Sequence, residues 1–359
     1  MAEILAAADL RHAFELSLRR RQCAERFYNV APSYLQDRLV KTTAALIVLA
    51  CSLVSAPPSH ADAFGSGLSK FDIEFVHIGD PGNAADDVSA RPSFAGSLEN
   101  AYRIGKYEVS EQMIDKANAL GGLGITKTLR GPNKPATNIT WNEAARFINW
   151  LNVSSGSTPA YKFALQPGDV GYSANSNIEL WTISDPGYNP SNLYRNGKAK
   201  YFLPSVDEWY KAAYFDAIAG VYYDYPTGSN SVPDGIDFAG DATFEAVFYD
   251  SGKNPQPNDV TDVGVLSPYG TAGQGGNVGD WQETDADLLN GPVNSSSFRI
   301  IRGGDWNFFS GNLLSSMMGS ANPTFQGVDV GFRVASIPEP STGLLGAMAC
   351  VGMFLQRRR

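Results

Sequence analysis

Between residues 62 and 335 the chain has no cysteine; Cys23, Cys51 and Cys350 all lie outside that stretch. The absence excludes a disulfide framework, a thiolate nucleophile and a Cys-ligated metal from the central part. Histidine is nearly as scarce, because His77 is the only one there. A lone histidine makes neither a catalytic dyad nor a transition-metal site, and it reads as an ordinary surface or core residue. Basic residues are also short. Residues 62–335 hold 18 Lys and Arg against 31 Asp and Glu. Phosphate recognition needs cations, so no nucleic-acid partner is expected. The acidic balance suits solubility outside the cell and weak cation binding.

Long apolar runs occur only near the two ends. Residues 42–56 are uncharged and mostly apolar, preceded by Arg38 and Lys41 and followed by Ser59-His60-Ala61. Such a run is short for a membrane span, which wants about 20 residues. With a small-x-small site behind it, it reads as an export signal cleaved near Ala61 or Ala63. Pro57 and Pro58 argue against a buried core helix. The segment upstream is too long and too mixed for an ordinary basic leader, which points to translation starting near Leu39 or Val40. Residues 1–61 are therefore assigned to export. Cys51 as a lipoprotein cysteine and Arg19-Arg20-Arg21 as a twin-arginine signal are weaker readings, given Leu49 and the distance of the arginines from the run.

At the other end, Ile337-Pro338-Glu339-Pro340-Ser341 precedes an apolar run over 344–355 and then Arg357-Arg358-Arg359. This composite, residues 337–359, resembles the PEP-CTERM sorting signal. The resemblance implies transient membrane association through the tail, with the arginines held on the cytoplasmic side. It also implies two partners during export, signal peptidase and an exosortase-like protease. The expected location is the cell envelope, surface or extracellular matrix.

The middle is rich in Gly, Asn and aromatics. Thr140-Trp141-Asn142-Glu143 forms a capping box, and Trp141, Ala144, Ala145, Ile148 and Leu151 follow at helical spacing. Ser205-Val206-Asp207-Glu208 is a second box, with Trp209, Ala212 and Ala213 on one face. Ser110 caps a poorer helix running toward Leu120. Strands are expected over 71–78, 101–109, 298–302 and 330–335, and loops over 154–200 and 218–275.

These pieces fall in the order of a known family. Lys106-Tyr107-Glu108-Val109-Ser110, Ile139-Thr140-Trp141-Asn142-Glu143-Ala144, Leu203-Pro204-Ser205-Val206-Asp207-Glu208-Trp209, Gly276-Asn277-Val278-Gly279-Asp280-Trp281, Arg302-Gly303-Gly304-Asp305-Trp306 and Gly331-Phe332-Arg333 come in sequence. Together they resemble the formylglycine-generating-enzyme or sulfatase-modifying-factor family. The resemblance implies an α+β fold over 71–335, a formylglycine-generating-enzyme-like variant of the C-type-lectin fold with a small twisted sheet, two main helices and much coil. Most motif residues also have structural readings. The glycines suit close backbone approach and the tryptophans supply buried surface. Arg302 and Arg333 are candidates to pair with Glu208 or Asp280.

Enzymes of that family oxidise a protein cysteine with copper held by two cysteines just beyond the Arg-Gly-Gly-Ser-Trp motif. The matching positions here are Phe308 and Leu313, neither of which can ligate copper. No catalytic residue is therefore assigned and no copper is expected. The family also binds calcium partly through the loop that matches 276–281. Asn277 and Asp280 keep oxygen donors there, although Gly279 replaces a tryptophan; a calcium site and a plain hydrogen-bonded turn are both open. Two functions follow: a non-catalytic module binding an unknown glycan or peptide ligand, or a divergent formylglycine-generating-type oxidase. The missing cysteines favour the first.

Overall fold

A computed structural model describes residues 60–235, 245–250, 256–288 and 297–338. The apolar run at 42–56 and the tail from 339 onward, including 344–355, lie outside these residues. Among the described residues no helix is long and apolar enough to cross a membrane.

Three helices form where their caps predict. In α1, Glu111–Gly121, Ser110 accepts the Met113 N–H and the chain leaves through Gly122 at φ 60°. In α2, Trp141–Ser154, Thr140 Oγ1 accepts the Glu143 N–H at 3.1 Å while Glu143 Oε2 accepts the Thr140 N–H at 2.9 Å. In α3, Val206–Tyr214, Ser205 and Glu208 repeat that reciprocal pair. Each box satisfies two amide donors that would otherwise be orphaned at the helix start.

Eleven short strands among the described residues are β1 His60–Phe64, β2 Phe71–Ile78, β3 Tyr102–Gly105, β4 Tyr201–Phe202, β5 Phe215–Asp216, β6 Val221–Tyr222, β7 Gly279–Asp285, β8 Arg299–Arg302, β9 Gly319–Ala321, β10 Val330–Gly331 and β11 Ala335–Ser336. One sheet runs β1-β2-β3-β11-β4, antiparallel throughout. A second runs β10-β7-β8-β9, with β10 parallel to β7. A small β5-β6 pair completes the set.

Three expectations need revising. The strand expected over 330–335 is two strands in different sheets, and the link between them carries Phe332, Arg333 and Val334 through the core. The chain folds from His60, ahead of the boundary at 71, because β1 pairs with β2 and buries Phe64. Strand β7 was not expected at all. Its sequence, Gly-Asp-Trp-Gln-Glu-Thr-Asp, lacks the apolar alternation that marks a half-buried strand, yet all seven residues are buried.

The main core lies between α2, the first sheet and β7. The indole N–H of Trp141 donates to Gln282 O at 2.9 Å, and that of Trp281 donates to Ile139 O at 2.9 Å. Two fully buried tryptophans thus stitch the start of α2 and β7 to each other. A buried indole N–H is costly unless it finds such an acceptor.

Candidate functional site

The motif residues converge where β7, β8 and the loops after them meet. Gly303 and Gly304 turn the chain sharply at φ 103° and 66°. A Cβ at Gly303 would lie 2.9 Å from Gln274 O, and one at Gly304 would lie 2.8 Å from Leu313 Cδ1. The turn therefore needs glycine for both conformation and space.

Beneath it lies a buried charge cluster. Arg333 Nε donates to Asp280 Oδ2 at 2.6 Å, and Trp209 Nε1 donates to the same oxygen at 2.9 Å. The remaining Arg333 nitrogens reach the carbonyls of Gly105, Lys106 and Ala272. Glu108 Oε1 lies 3.8 Å from Arg333 and accepts from Asn277 Nδ2 at 3.1 Å. One guanidinium cannot neutralise two carboxylates. Burial, opposed by Arg333 and reinforced by Asp280, pushes Glu108 up to about 8. Arg333 thus pairs with Asp280, as one of the sequence alternatives had it.

Arg302 does not pair with Glu208 or Asp280. Its terminal nitrogens donate to Arg91 O and Ser315 O, and its guanidinium lies 4.9 Å from the centre of the Tyr210 ring. Glu208 instead faces Arg195 at 3.3 Å, and Arg195 also meets the fully buried Glu283 at 2.9 Å. Tyr161 donates to the other oxygen of Glu283. These partners account for the burial of Glu283, and Thr284 and Asp285 of β7 likewise accept from Val206 N and Tyr194 Oη. Arg195 lies in a loop outside every motif, so nothing in the sequence singled it out.

The two proposed calcium donors are both engaged with protein groups. Asn277 sits at φ 58° with its Oδ1 accepting the Asn258 N–H at 2.9 Å, and Asp280 holds Arg333 and Trp209. A calcium ion wants about six to eight oxygens and no adjacent cation. Among the described residues no group of three or more His, Cys, Asp or Glu could hold a metal. With Arg333 and Trp209 on Asp280 Oδ2 and the Asn258 amide on Asn277 Oδ1, neither of those two oxygens is free for a calcium ion.

Phe308 and Leu313 part company. Phe308 is 48% exposed, whereas Leu313 is fully buried with Tyr225, Ala246 and Phe248. Beside Phe308 is a recess of about 180 Å³ lined by Arg302, Asp305, Asn312 and Met317. Phe309 and Met317 are exposed as well, and the Phe309 ring meets Tyr249 edge-on at 5.2 Å. Burial and the nearby charge of Asp329 push Asp305 up to about 7, against the pull of the Asn307 and Phe308 amides.

Residues 81–337 match the family described as sulfatase-modifying factor enzyme 1-like domain. The chain belongs to that family. Among solved structures it is similar to Treponema denticola variable protein 1, with 19% identity over 79% of this chain and 100% of that one, at a TM-score of 0.52. It is also similar to CarF, with 19% identity over 74% and 99% of the two chains, at a TM-score of 0.53. No curated protein matches this sequence. These likenesses establish the sulfatase-modifying-factor-like fold in its α+β, C-type-lectin-like form.

The buried carboxyls of this domain give it a pH signature. Glu108 has a folded value of about 8 against an ordinary 4.5. It favours the folded state while protonated, so stability is lost as pH rises from about 4.5 toward 8, at up to roughly 1.4 kcal/mol per pH unit. Asp305 acts in the same direction toward about 7. Glu108→Gln is expected to flatten part of this slope. Thermal unfolding of both forms between pH 5 and 8.5 checks it, and parallel curves would show that Glu108 is already charged when folded.

Proposed function

We propose that this domain is a non-catalytic, ligand-binding member of the sulfatase-modifying-factor family, carried by a protein exported to the cell surface or matrix. The observation that carries the reading is the fate of the two thiolate positions. Leu313 lies sealed under Gly304 in an apolar cluster, while Phe308 stands half-exposed at the rim of the recess. Copper(I) needs soft ligands, and the nearby Asn307, Ser310 and Met317 offer hard oxygens or a weak thioether. The exposed rings of Phe308 and Phe309, with Met317, suit stacking on a sugar face or packing on a peptide side chain.

The test has two arms. Copper-loaded protein, offered a sulfatase-type cysteine peptide, is expected to show no oxygen uptake and no formylglycine; turnover by the unaltered chain would refute the reading. On glycan and peptide arrays the wild type is expected to retain a ligand that Phe308→Ser/Phe309→Ser loses. Calcium at Asn277 and Asp280 would require Arg333 to leave Asp280. Added calcium is therefore expected to leave the melting temperature unchanged, and a rise would restore that site.

Export also bears on where the mature chain begins. Asp62 holds Arg103 at 2.7 Å and accepts from Tyr201 Oη at 2.7 Å. Cleavage after Ala61 keeps this anchor of β1, whereas cleavage after Ala63 discards it. Secreted protein is expected to start at Asp62, cut by signal peptidase, and to end near Pro340 after an exosortase-like cut releases the membrane-associated tail. Intact-mass measurement decides between these ends and an unprocessed 38.6 kDa chain.

A further inference from the structure

A larger cleft, about 530 Å³, opens away from the motif residues, between α1, α2 and the loop that follows α2. Its volume lies in the range of small-molecule sites. Trp150, Trp181 and Phe163 line it, and Val153 stands at its edge, 61% exposed. In a chain with an acidic middle, no Asp or Glu lines this cleft; its charged residues are Arg146 and Lys162.

Arg146 is the unusual one. It lies on α2 with only 3% of its surface exposed, and no carboxylate among the described residues pairs with it. Its Nε donates to Ala174 O, Nη1 to Leu165 O and Nη2 to Ser176 Oγ. The Tyr172 hydroxyl is a fourth neutral hydrogen-bond partner, which leaves one of the five N–H donors unassigned and no negative charge beside the group among the described residues. The guanidinium is flanked by Phe163 at 3.8 Å and Tyr172 at 4.6 Å from their ring centres. Neutral acceptors and π-faces hold the group in place but do not cancel its charge. Lys162 is already paired with Asp185 at 2.9 Å.

We propose that this cleft binds a small organic anion, a carboxylate carrying an aromatic or branched aliphatic body, with the carboxylate at Arg146 and the apolar body against Trp150 and Trp181. A buried cation without a counter-ion, at an aromatic-walled cleft free of carboxylates, calls for an anion with an apolar body. A neutral sugar would satisfy the walls and leave the charge uncompensated.

The probe is 4-phenylbutyrate, titrated into the purified full chain by calorimetry and by tryptophan fluorescence, beside 4-phenylbutyramide and methyl β-glucoside. The carboxylate is expected to bind about tenfold or more tightly than the amide, the worth of one charge-assisted contact. Val153→Asp alters only an exposed side chain at the cleft edge and places a like charge there. It is expected to weaken phenylbutyrate about tenfold with an unchanged melting temperature. Arg146→Lys keeps the charge and loses the fork, and is expected to fall between wild type and Val153→Asp. Phe308→Ser/Phe309→Ser is expected to bind as wild type, which separates this cleft from the recess beside Phe308. Equal affinity for the amide, preference for the glycoside, no binding at millimolar concentration, or indifference to Val153→Asp would each overturn the proposal.

Discussion

Arg333→Met is expected to destabilise the domain by about 3–5 kcal/mol at pH 8, the usual cost of removing one partner from a buried ion pair. The side chain is fully buried, and its loss leaves Asp280 with only the Trp209 N–H. It also strips a donor from each of the carbonyls of Gly105, Lys106 and Ala272, of which Lys106 O keeps the Ala272 N–H. Much of the cost is electrostatic, so it depends on pH. Without the guanidinium both Asp280 and Glu108 must take up protons on folding, and that becomes harder as pH rises above the ordinary carboxylate range. The deficit is therefore expected to be smaller at pH 5 than at pH 8, as read by urea unfolding. An equal deficit at both values would assign the effect to lost packing and carbonyl bonds instead. Arg333→Met/Asp280→Leu is expected to recover part of the loss, because a buried pair replaced as a unit leaves no lone charge.

Trp281→Ala is expected to cost about 3–5 kcal/mol, in line with truncation of a buried tryptophan. The indole is fully buried in the main core, and its removal orphans Ile139 O one residue before the α2 cap. Trp281→Phe is expected to cost less, since it keeps much of the volume and loses only the hydrogen bond. The reciprocal Trp141–Gln282 bond makes α2 and β7 one cooperative element. Limited proteolysis of the wild type should then nick the loops over 154–200 or 218–260 and leave the pieces associated. In Trp281→Ala those pieces should separate at lower urea. Two independently stable fragments in the wild type would contradict a single unit.

Much of the local structure was legible in the chain because its causes are local. Thr140 with Glu143, and Ser205 with Glu208, mark helix starts by bonds that span three residues. Gly303 and Gly304 marked a close backbone approach, which the fold places beside Gln274 O and Leu313. The ordered motifs carried the family, which the match over 81–337 establishes. The inventory of the catalytic positions, Phe308 and Leu313, needed no coordinates either.

What lay beyond the sequence was every decision made by distant partners. It offered Arg302 and Arg333 as equals, but the fold brings Arg333, on the link between β10 and β11, to Asp280 of β7, while Arg302 on β8 meets the carbonyls of Arg91 and Ser315 beside Tyr210. Strand β7 escaped notice because its burial is stabilised by side chains from 88 residues upstream, as in the Arg195–Glu283 pair, rather than by its own apolar pattern. Asn277 and Asp280 kept oxygen atoms in the right order for a cation, and the fold gives Asn277 Oδ1 to an amide and Asp280 Oδ2 to a guanidinium. The cleft at Arg146 carried no motif. Sequence determined the helices, the turns, the family and the missing thiols, because these follow from residue type and short spacing. Tertiary structure decided which charges meet and which cation is left without a carboxylate, because desolvation and pairing are set by neighbours that only the folded chain brings together.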